Sequence, residues 1–387
     1  MSRILLLHAS VGMGHHRAAV GIARALKQVP GITVEVEDTL DHARELFRTA
    51  YAGSYLRIAD QTPQLWSEIY ARTDRRFPLL GLVNAIRMVT TMIGVRGLAA
   101  LLQRTQPDAI ICTHFLPLEV LGPLRHIGQA PPLYGVLTDY RAHHFWACQG
   151  VDGYFVPTVE TREQLVTAGL PEATVHVTGI PIDPAIAVPL DQKSARQSLA
   201  LAPDEPVVLI NGSGLAPARV KEIVVELLSR QMPGTLVVAT GRNHQLTALL
   251  ADMVGTTATE LRVLGPQPSL DPLIAASDVV MGKAGGLTVS EVLARGVPLI
   301  VLTPVPGQEA WNARHVVEAG AGVCESQTPE VAEVVVQILQ DQSRRQRMAR
   351  AAKAAGQPAA AAAIAGYVLE ELRHEYMPLR LRSVVPA

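Results

Sequence analysis

Short β-branched or leucine runs recur along this chain. Ile4–His8, Thr33–Glu37, Ala109–His114, Leu133–Thr138, Gly153–Val156 and Thr174–Thr178 form one series. Val207–Asn211, Thr235–Ala239, Leu261–Leu264, Val279–Met281 and Leu299–Leu302 form a second. A helical segment follows each run. Continuous apolar strands alternating with helices predict parallel sheets covered on both faces. Two series predict two doubly wound α/β domains. The boundary falls in "GIPIDPAIAVPLDQKSARQSLALAPDEP", where prolines and polar residues cluster. The expected domains are residues 1–185 and 186–360. In 361–387 the alanine-rich "AAAIAGYVLEEL" reads as a helix that packs back on the first domain, with Tyr367, Leu369 and Leu372 as its apolar contacts. Ligands of such sheets bind outside the carboxyl ends of the strands, so a cleft between two facing domains is the expected active site.

Composition narrows the function classes. The chain has 387 residues, 48% hydrophobic and 18% charged, enough for two cores. A net charge of −1 gives no global argument for nucleic acid, and no nucleic-acid partner is expected. Cys112, Cys148 and Cys324 are odd in number and lack metal-type spacing, which fits a reducing cytoplasm. "MSRILLLHAS" is too short an apolar run for a signal peptide. No run reaches the roughly 18 uninterrupted apolar residues of a membrane span.

Two stretches carry chemistry. In "LLLHASVGMGHHRAAVGIARAL" a strand runs into Gly12-Met13-Gly14-His15 and then a helix. Glycines admit a ligand to the backbone, and free helix N–H groups favour an anion. His15 is then a base, a ligand, or part of a first turn facing water, and His16 reads as its solvated neighbour. The second stretch is "GKAGGLTVSEVLARGVPLIVLTPVPGQEAWNARHVVEAGAGV". Gly285, Gly286 and Thr288 open a helix from about Thr288 to Ala294 and read as a phosphate cradle. Glu291, on that helix, suits the paired hydroxyls of a ribose. Gln308 and Glu309 offer sugar hydroxyls donors and acceptors together. Gly212, Ser213 and Gly214 form another glycine-rich turn, in which Ser213 is the less regular member.

These motifs resemble the family-28 glycosyltransferases, and within them the diacylglycerol-glycosylating branch of monogalactosyldiacylglycerol synthases and processive diacylglycerol glucosyltransferases. The resemblance spans nearly the whole chain. It rests on Gly12, Gly14, His15 and Ala19; on "TDYRAHHFW" with Asp139, His143 and Trp146 in register; on "VTGIPIDP"; and on "GGLTVSEVLARGVPLIVLTPVPGQEAWNA". Met13 departs from the Gly or Asn of many relatives, which matters little where only its backbone makes contact.

The resemblance implies a GT-B fold and an inverting transfer of hexose from UDP-galactose or UDP-glucose to diacylglycerol, at the cytoplasmic face of the cell membrane. It implies a UDP-sugar site of Gly14, Gly212, Ser213, Gly214, Leu264, Gly285, Gly286, Leu287, Thr288, Glu291, Gln308 and Glu309. His15 is the expected general base, or else orients a phosphate or the loop. Asp139, expected to end a strand opposite that loop, either orients a histidine or is itself the base. His143 and Trp146 shape the acceptor mouth or simply pack. No pair of histidines has convincing metal spacing, so no bound metal or other cofactor is expected. Helix N-termini and backbone donors would take the leaving-group charge. Rival readings are a transferase for another hydrophobic acceptor and a non-catalytic sugar-nucleotide-binding protein.

The acceptor side is expected in Tyr51–Arg104. "AYAGSYLRIADQTPQLWSEIYARTD", with Trp66 and Tyr70, precedes a segment that carries Arg75, Arg76 and Arg87 among apolar residues and holds no acidic one. Such a segment suits anionic membrane lipids; the alternative is a pair of core helices whose arginines reach out to solvent. Changing Arg75, Arg76 and Arg87 to Gln should weaken sedimentation with anionic vesicles by roughly 1 kcal/mol per residue at low salt while UDP binding is unchanged. Unaltered vesicle binding at low salt would favour the core-helix alternative.

Overall fold

The computed structural model describes residues 2–49, 91, 94–95, 97–255, 259–302, 304 and 307–375. Trp66, Tyr70, Arg75, Arg76 and Arg87 lie outside the described residues. The chain divides into two compact units, one of residues up to 184 together with those from 358, the other of residues 185–357.

The first unit contains β1 (Ser2–His8), α1 (Met13–Lys27), β2 (Ile32–Asp38), α2 (Gly97–Thr105), β3 (Ala109–Cys112), α3 (Phe115–His126), β4 (Leu133–Val136), β5 (Gly153–Val156), α4 (Val159–Thr167) and β6 (Val175–Val177). All strands pair in parallel, in the order β2-β1-β3-β4-β5-β6. The unbroken run Ile4–Leu7 is explained by burial on both sides. Ile4 and Leu6 join one core with Ile22 and Leu26 of α1, while Leu5 and Leu7 join another with Leu98 and Leu101 of α2.

The second unit contains α5 (Gln192–Ser198), β7 (Val207–Asn211), α6 (Pro217–Ser229), β8 (Thr235–Ala239), α7 (His244–Ala251), β9 (Glu260–Leu264), α8 (Asp271–Ala276), β10 (Val279–Gly282), α9 (Gly286–Arg295), β11 (Leu299–Leu302), α10 (Gln308–Glu318), β12 (Gly322–Glu325), α11 (Thr328–Gln340) and α12 (Gln342–Ala355). Its parallel order is β12-β11-β10-β7-β8-β9. Val208, Ile210 and Met281 face a core that α6 and α11 close with Ile223, Leu227, Val335 and Ile338. A final helix, α13 (Ala360–Glu375), belongs to the first unit, where Ile364 and Val368 join Ile22 and Leu26 of α1.

The observed elements correct the sequence reading in four places. β3 stops at Cys112 and β4 at Val136, so Thr113, His114, Thr138 and Asp139 all lie in loops. Asp139 therefore does not end a strand. α9 begins at Gly286, two residues before the expected start, which places Glu291 in its second turn. β12 is an additional strand; it is short, sits at the sheet edge and is buried only at Gly322, so it lacks the apolar run that marked the others.

A buried ion network fastens the opening of the second unit to its sheet. Asp278 Oδ2 accepts from Arg196 Nη2 at 2.7 Å and from the Val207 amide at 2.9 Å. Arg196 also donates to the carbonyls of Ala276 and Pro203, at 3.0 and 2.8 Å. Arg345 Nε of α12 lies 3.6 Å from Asp278 Oδ1. With every arm of the guanidinium engaged, the pair is maintained inside the fold. Removing one partner leaves the other's charge buried. Asp278→Ala should destabilise this unit by about 3–5 kcal/mol, read as a lowered denaturant midpoint in urea unfolding. A shift below about 1 kcal/mol would show that water relieves Arg196.

Candidate active site

Each sheet has one point where the chain reverses its direction of strand addition, and there the loops at the carboxyl ends diverge and leave a crevice. In the first unit that point lies between β1 and β3. The loop after β1 leads into α1, and the loop after β3 carries Thr113 and His114. In the second unit it lies between β7 and β10, so the turn Gly212–Gly214 and the loop Lys283–Gly285 flank one crevice.

His15 sits in the first turn of α1 and reaches across to the loop after β3. Its Nδ1 lies 2.7 Å from the Thr113 carbonyl and 3.0 Å from Thr138 Oγ1. A carbonyl can only accept, so Nδ1 carries the ring proton and the lone pair is left on Nε2. In return, Thr113 Oγ1 donates to the His15 carbonyl at 2.8 Å. Ring and backbone of the same residue are thus held by one threonine. Among the described residues no hydrogen bond joins His15 to Asp139, so the orienting partner is a carbonyl rather than a carboxylate.

Three further histidines surround His15. His114, buried, accepts from the Leu116 amide through Nδ1 at 3.0 Å and so caps α3. Its ring stands edge-on to His15, with centroids 4.6 Å apart. His16 Nδ1 lies 3.1 Å from Nε2 of His8, the last residue of β1. His16 is therefore half-buried and hydrogen-bonded, not the solvated neighbour expected from sequence. Burial disfavours charge on His15, His114 and His8. It lowers the His15 pKa to about 4, against a smaller upward pull from the Thr113 hydrogen bond. It holds His114 well below the usual histidine range, with the neighbouring His15 and His8 adding to the effect. His8 is lowered too, first by burial, with Asp38 opposing. The loop around His15 thus offers a neutral imidazole with a fixed tautomer.

His143 and Trp146 are both buried. His143 Nδ1 accepts from the Phe145 amide at 3.2 Å, and Trp146 packs in the core with Leu118 and Tyr154. Asp139 is half-buried three residues beyond β4.

In the second unit, Asn211 Oδ1 accepts from the Ser213 amide at 3.2 Å and shapes the glycine turn, on which Ser213 and Gly214 are exposed. Gly285 precedes α9 with no side-chain cap, and the first turn of that helix has no acidic residue. Its leading N–H groups and the positive end of its dipole suit an anion. Asn312 of α10 donates to the Ala284 carbonyl at 2.9 Å, and Ser290 to the Gly286 carbonyl at 2.8 Å. Lys283 Nζ lies 2.5 Å from Oε1 of Glu309 in the first turn of α10, beside Gln308. Leu287 and Glu291 are buried and Thr288 half-buried on α9. The strand order separates Leu264 from this group: it ends the edge strand β9, and its carbonyl accepts from Thr240 N and Oγ1 at 2.8 and 3.1 Å. Thr113, Thr138, Asn312 and Lys283 did not stand out in the sequence. Thr138, Lys283 and Asn312 lie inside quoted motifs, beside residues with more familiar chemistry. Among the described residues no trio of His, Cys, Asp or Glu is arranged to hold a metal ion, and no helix is long and apolar enough to cross a membrane.

The family model described as monogalactosyldiacylglycerol (MGDG) synthase matches residues 15–182, and that of the glycosyltransferase family 28 C-terminal domain matches residues 207–364. The processive diacylglycerol beta-glucosyltransferase of Staphylococcus carnosus is 30% identical over 355 residues, 90% of this chain and 87% of that protein. The same-named protein of Bacillus licheniformis is 28% identical over 351 residues, 90% of each chain. Among solved structures, MurG of Acinetobacter baumannii shares the fold with a TM-score of 0.61 at 17% identity, over 96% of this chain and all of that one. MnaA of S. aureus, solved with UDP, has a TM-score of 0.63 at 16% identity, over 96% and 97%.

The His15 environment makes a direct prediction. In a histidine-labelled sample, the His15 ring nitrogens should report the neutral Nδ1–H tautomer at pH 7 and titrate near pH 4. The native pKa lies below the unfolded value of about 6.5. This contribution to stability is therefore complete above pH 6.5, declines as pH falls toward 4 and is constant below that. A titration near 6.5, or an Nε2–H ring at pH 7, would contradict the arrangement.

Proposed function

Because the chain belongs to glycosyltransferase family 28, in its monogalactosyldiacylglycerol synthase and processive diacylglycerol glucosyltransferase branch, we propose that it transfers a hexose from a UDP-sugar to the free hydroxyl of diacylglycerol. Two Rossmann-like parallel-sheet units in one chain are the make-up of a GT-B enzyme. The names of the relatives support diacylglycerol as acceptor. They differ on the hexose, glucose in the relatives and galactose in the family model.

The reaction is a single displacement. The acceptor oxygen attacks the anomeric carbon from the face opposite the diphosphate and forms the new C–O bond. The bond from that carbon to the β-phosphate oxygen breaks, and its electron pair leaves with UDP. The hydroxyl proton passes to His15 Nε2. Configuration inverts, so an α-linked donor gives a β-glycolipid, and one base suffices. In the second unit, Glu291 accepts from the ribose hydroxyls, Gln308 and Glu309 meet the hexose, and the Gly212–Gly214 turn with Gly285 and Gly286 faces the diphosphate. A lipid acceptor requires the enzyme to work peripherally at a membrane surface, for which the arginines at 75, 76 and 87 are suited.

The observation that carries this reading is the His15 ring, oriented through Nδ1 by a carbonyl so that Nε2 is the basic nitrogen. The test is incubation with diacylglycerol vesicles and either UDP-glucose or UDP-galactose, with the glycolipid identified by mass and anomeric configuration. β-Glycosyldiacylglycerol and UDP are the expected products. His15→Ala should lower kcat by about 10²–10⁴ while UDP affinity stays within about twofold. If UDP affinity collapses and kcat does not, His15 is a donor-binding residue and Asp139 becomes the base to test.

A further inference from the structure

We propose that Lys283 is the side-chain cation of the donor site: its ammonium takes the diphosphate of the UDP-sugar and, through the same charge, keeps Glu309 compatible with that diphosphate. The inference rests on the reading of the second unit as the UDP-sugar site and adds to it a residue and a charge balance.

Three segments converge on this ammonium. Lys283 follows β10 directly, and its loop is anchored to α10 by the bond from Asn312 to the Ala284 carbonyl. Its stem runs along the turn that follows β7. There Gly214 has φ +74°, and a Cβ on that residue would lie 2.9 Å from Lys283 Cδ and 3.3 Å from Nζ. Glycine at 214 thus serves two needs, the left-handed backbone and the passage of the lysine chain. At its tip, Nζ meets Glu309 Oε1 at 2.5 Å. The ammonium therefore stands between the glycine turn, the opening of α9 and the first turn of α10, where the motifs place the phosphates.

The charges decide what such a group does. An ammonium has three N–H donors, and the bond to Glu309 uses one, leaving two for phosphate oxygens. The side chains of Lys283 and Glu309 are 36% and 16% exposed, so the lysine is the more open partner. A helix N-terminus supplies the equivalent of about half an elementary charge. Lys283 supplies a whole one, a compact point charge of the kind that binds phosphate. Without it the Glu309 carboxylate would face the diphosphate as a like charge. As the bond to the sugar breaks, negative charge grows on the β-phosphate oxygen, and a fixed ammonium is worth more there than in the bound donor.

Calorimetry on the full chain with UDP and with uridine separates this role from that of a staple between loops. The wild-type chain should bind UDP far more tightly than uridine. Lys283→Met and Lys283→Gln should each weaken UDP roughly 10- to 100-fold, as expected for loss of a charge-assisted hydrogen bond, and change uridine affinity less than about twofold. Glu309→Gln should leave UDP affinity unchanged or raise it, and Lys283→Met/Glu309→Gln should recover part of the loss. If the lysine variants bind UDP as the wild type does, the inference is wrong while the donor-site reading stands. If Lys283→Met and Glu309→Gln weaken UDP and uridine alike and lower Tm equally, the pair is only a staple. If the wild-type chain binds no UDP, the donor-site reading falls and the inference with it.

Discussion

A parallel sheet buried on both faces has one place for polar chemistry, the ends of its strands, and both units of this protein are organised around that constraint. Ile4–Leu7 and Val207–Ile210 are buried throughout, and so are their partners on β3 and β10. Within the sheet no polar side chain could be accommodated without a partner. The loops at the carboxyl ends are free of that restriction, and at the strand-order reversal they diverge. His15, Thr113 and His114 occupy that position in one unit; Gly212–Gly214 and Lys283–Gly286 occupy it in the other. The apolar cores therefore position the chemistry by excluding it from everywhere else.

The two crevices handle charge in opposite ways. Around His15, desolvation keeps His8, His15 and His114 neutral; His15 is held by the Thr113 carbonyl and Thr138 Oγ1, His8 by His16, and His114 by the Leu116 amide. Such a site accepts a proton only when the reaction delivers one, since the resting imidazole is uncharged at neutral pH. In the second unit a full ion pair, Lys283 with Glu309, stands beside the uncapped start of α9. Fixed charge there suits a ligand that arrives charged and leaves more so. One crevice thus holds desolvated, neutral imidazoles and the other a fixed ion pair, each on its own sheet.

The sequence by itself determined the architecture and marked out candidate residues for a donor site. Its β-branched and leucine runs located every strand except β12. The interior strands write unbroken runs because they are buried on both faces, whereas the half-exposed edge segment Gly322–Glu325 is free of that requirement. The glycines before α1 and α9, Glu291, and the Gln308–Glu309 pair stood out as candidates because of their residue types at or after a strand-to-helix turn. Tertiary structure alone decided what these residues do to one another. His15 finds Thr113 and Thr138, 98 and 123 residues away. No local pattern could show that its orienting partner is a carbonyl rather than Asp139, nor which ring nitrogen carries the proton. Lys283 likewise was not singled out in the sequence. Only the folded chain brings its ammonium past Gly214 to Glu309, because side-chain charge and tautomer answer to neighbours in space and the sequence records only neighbours along the chain.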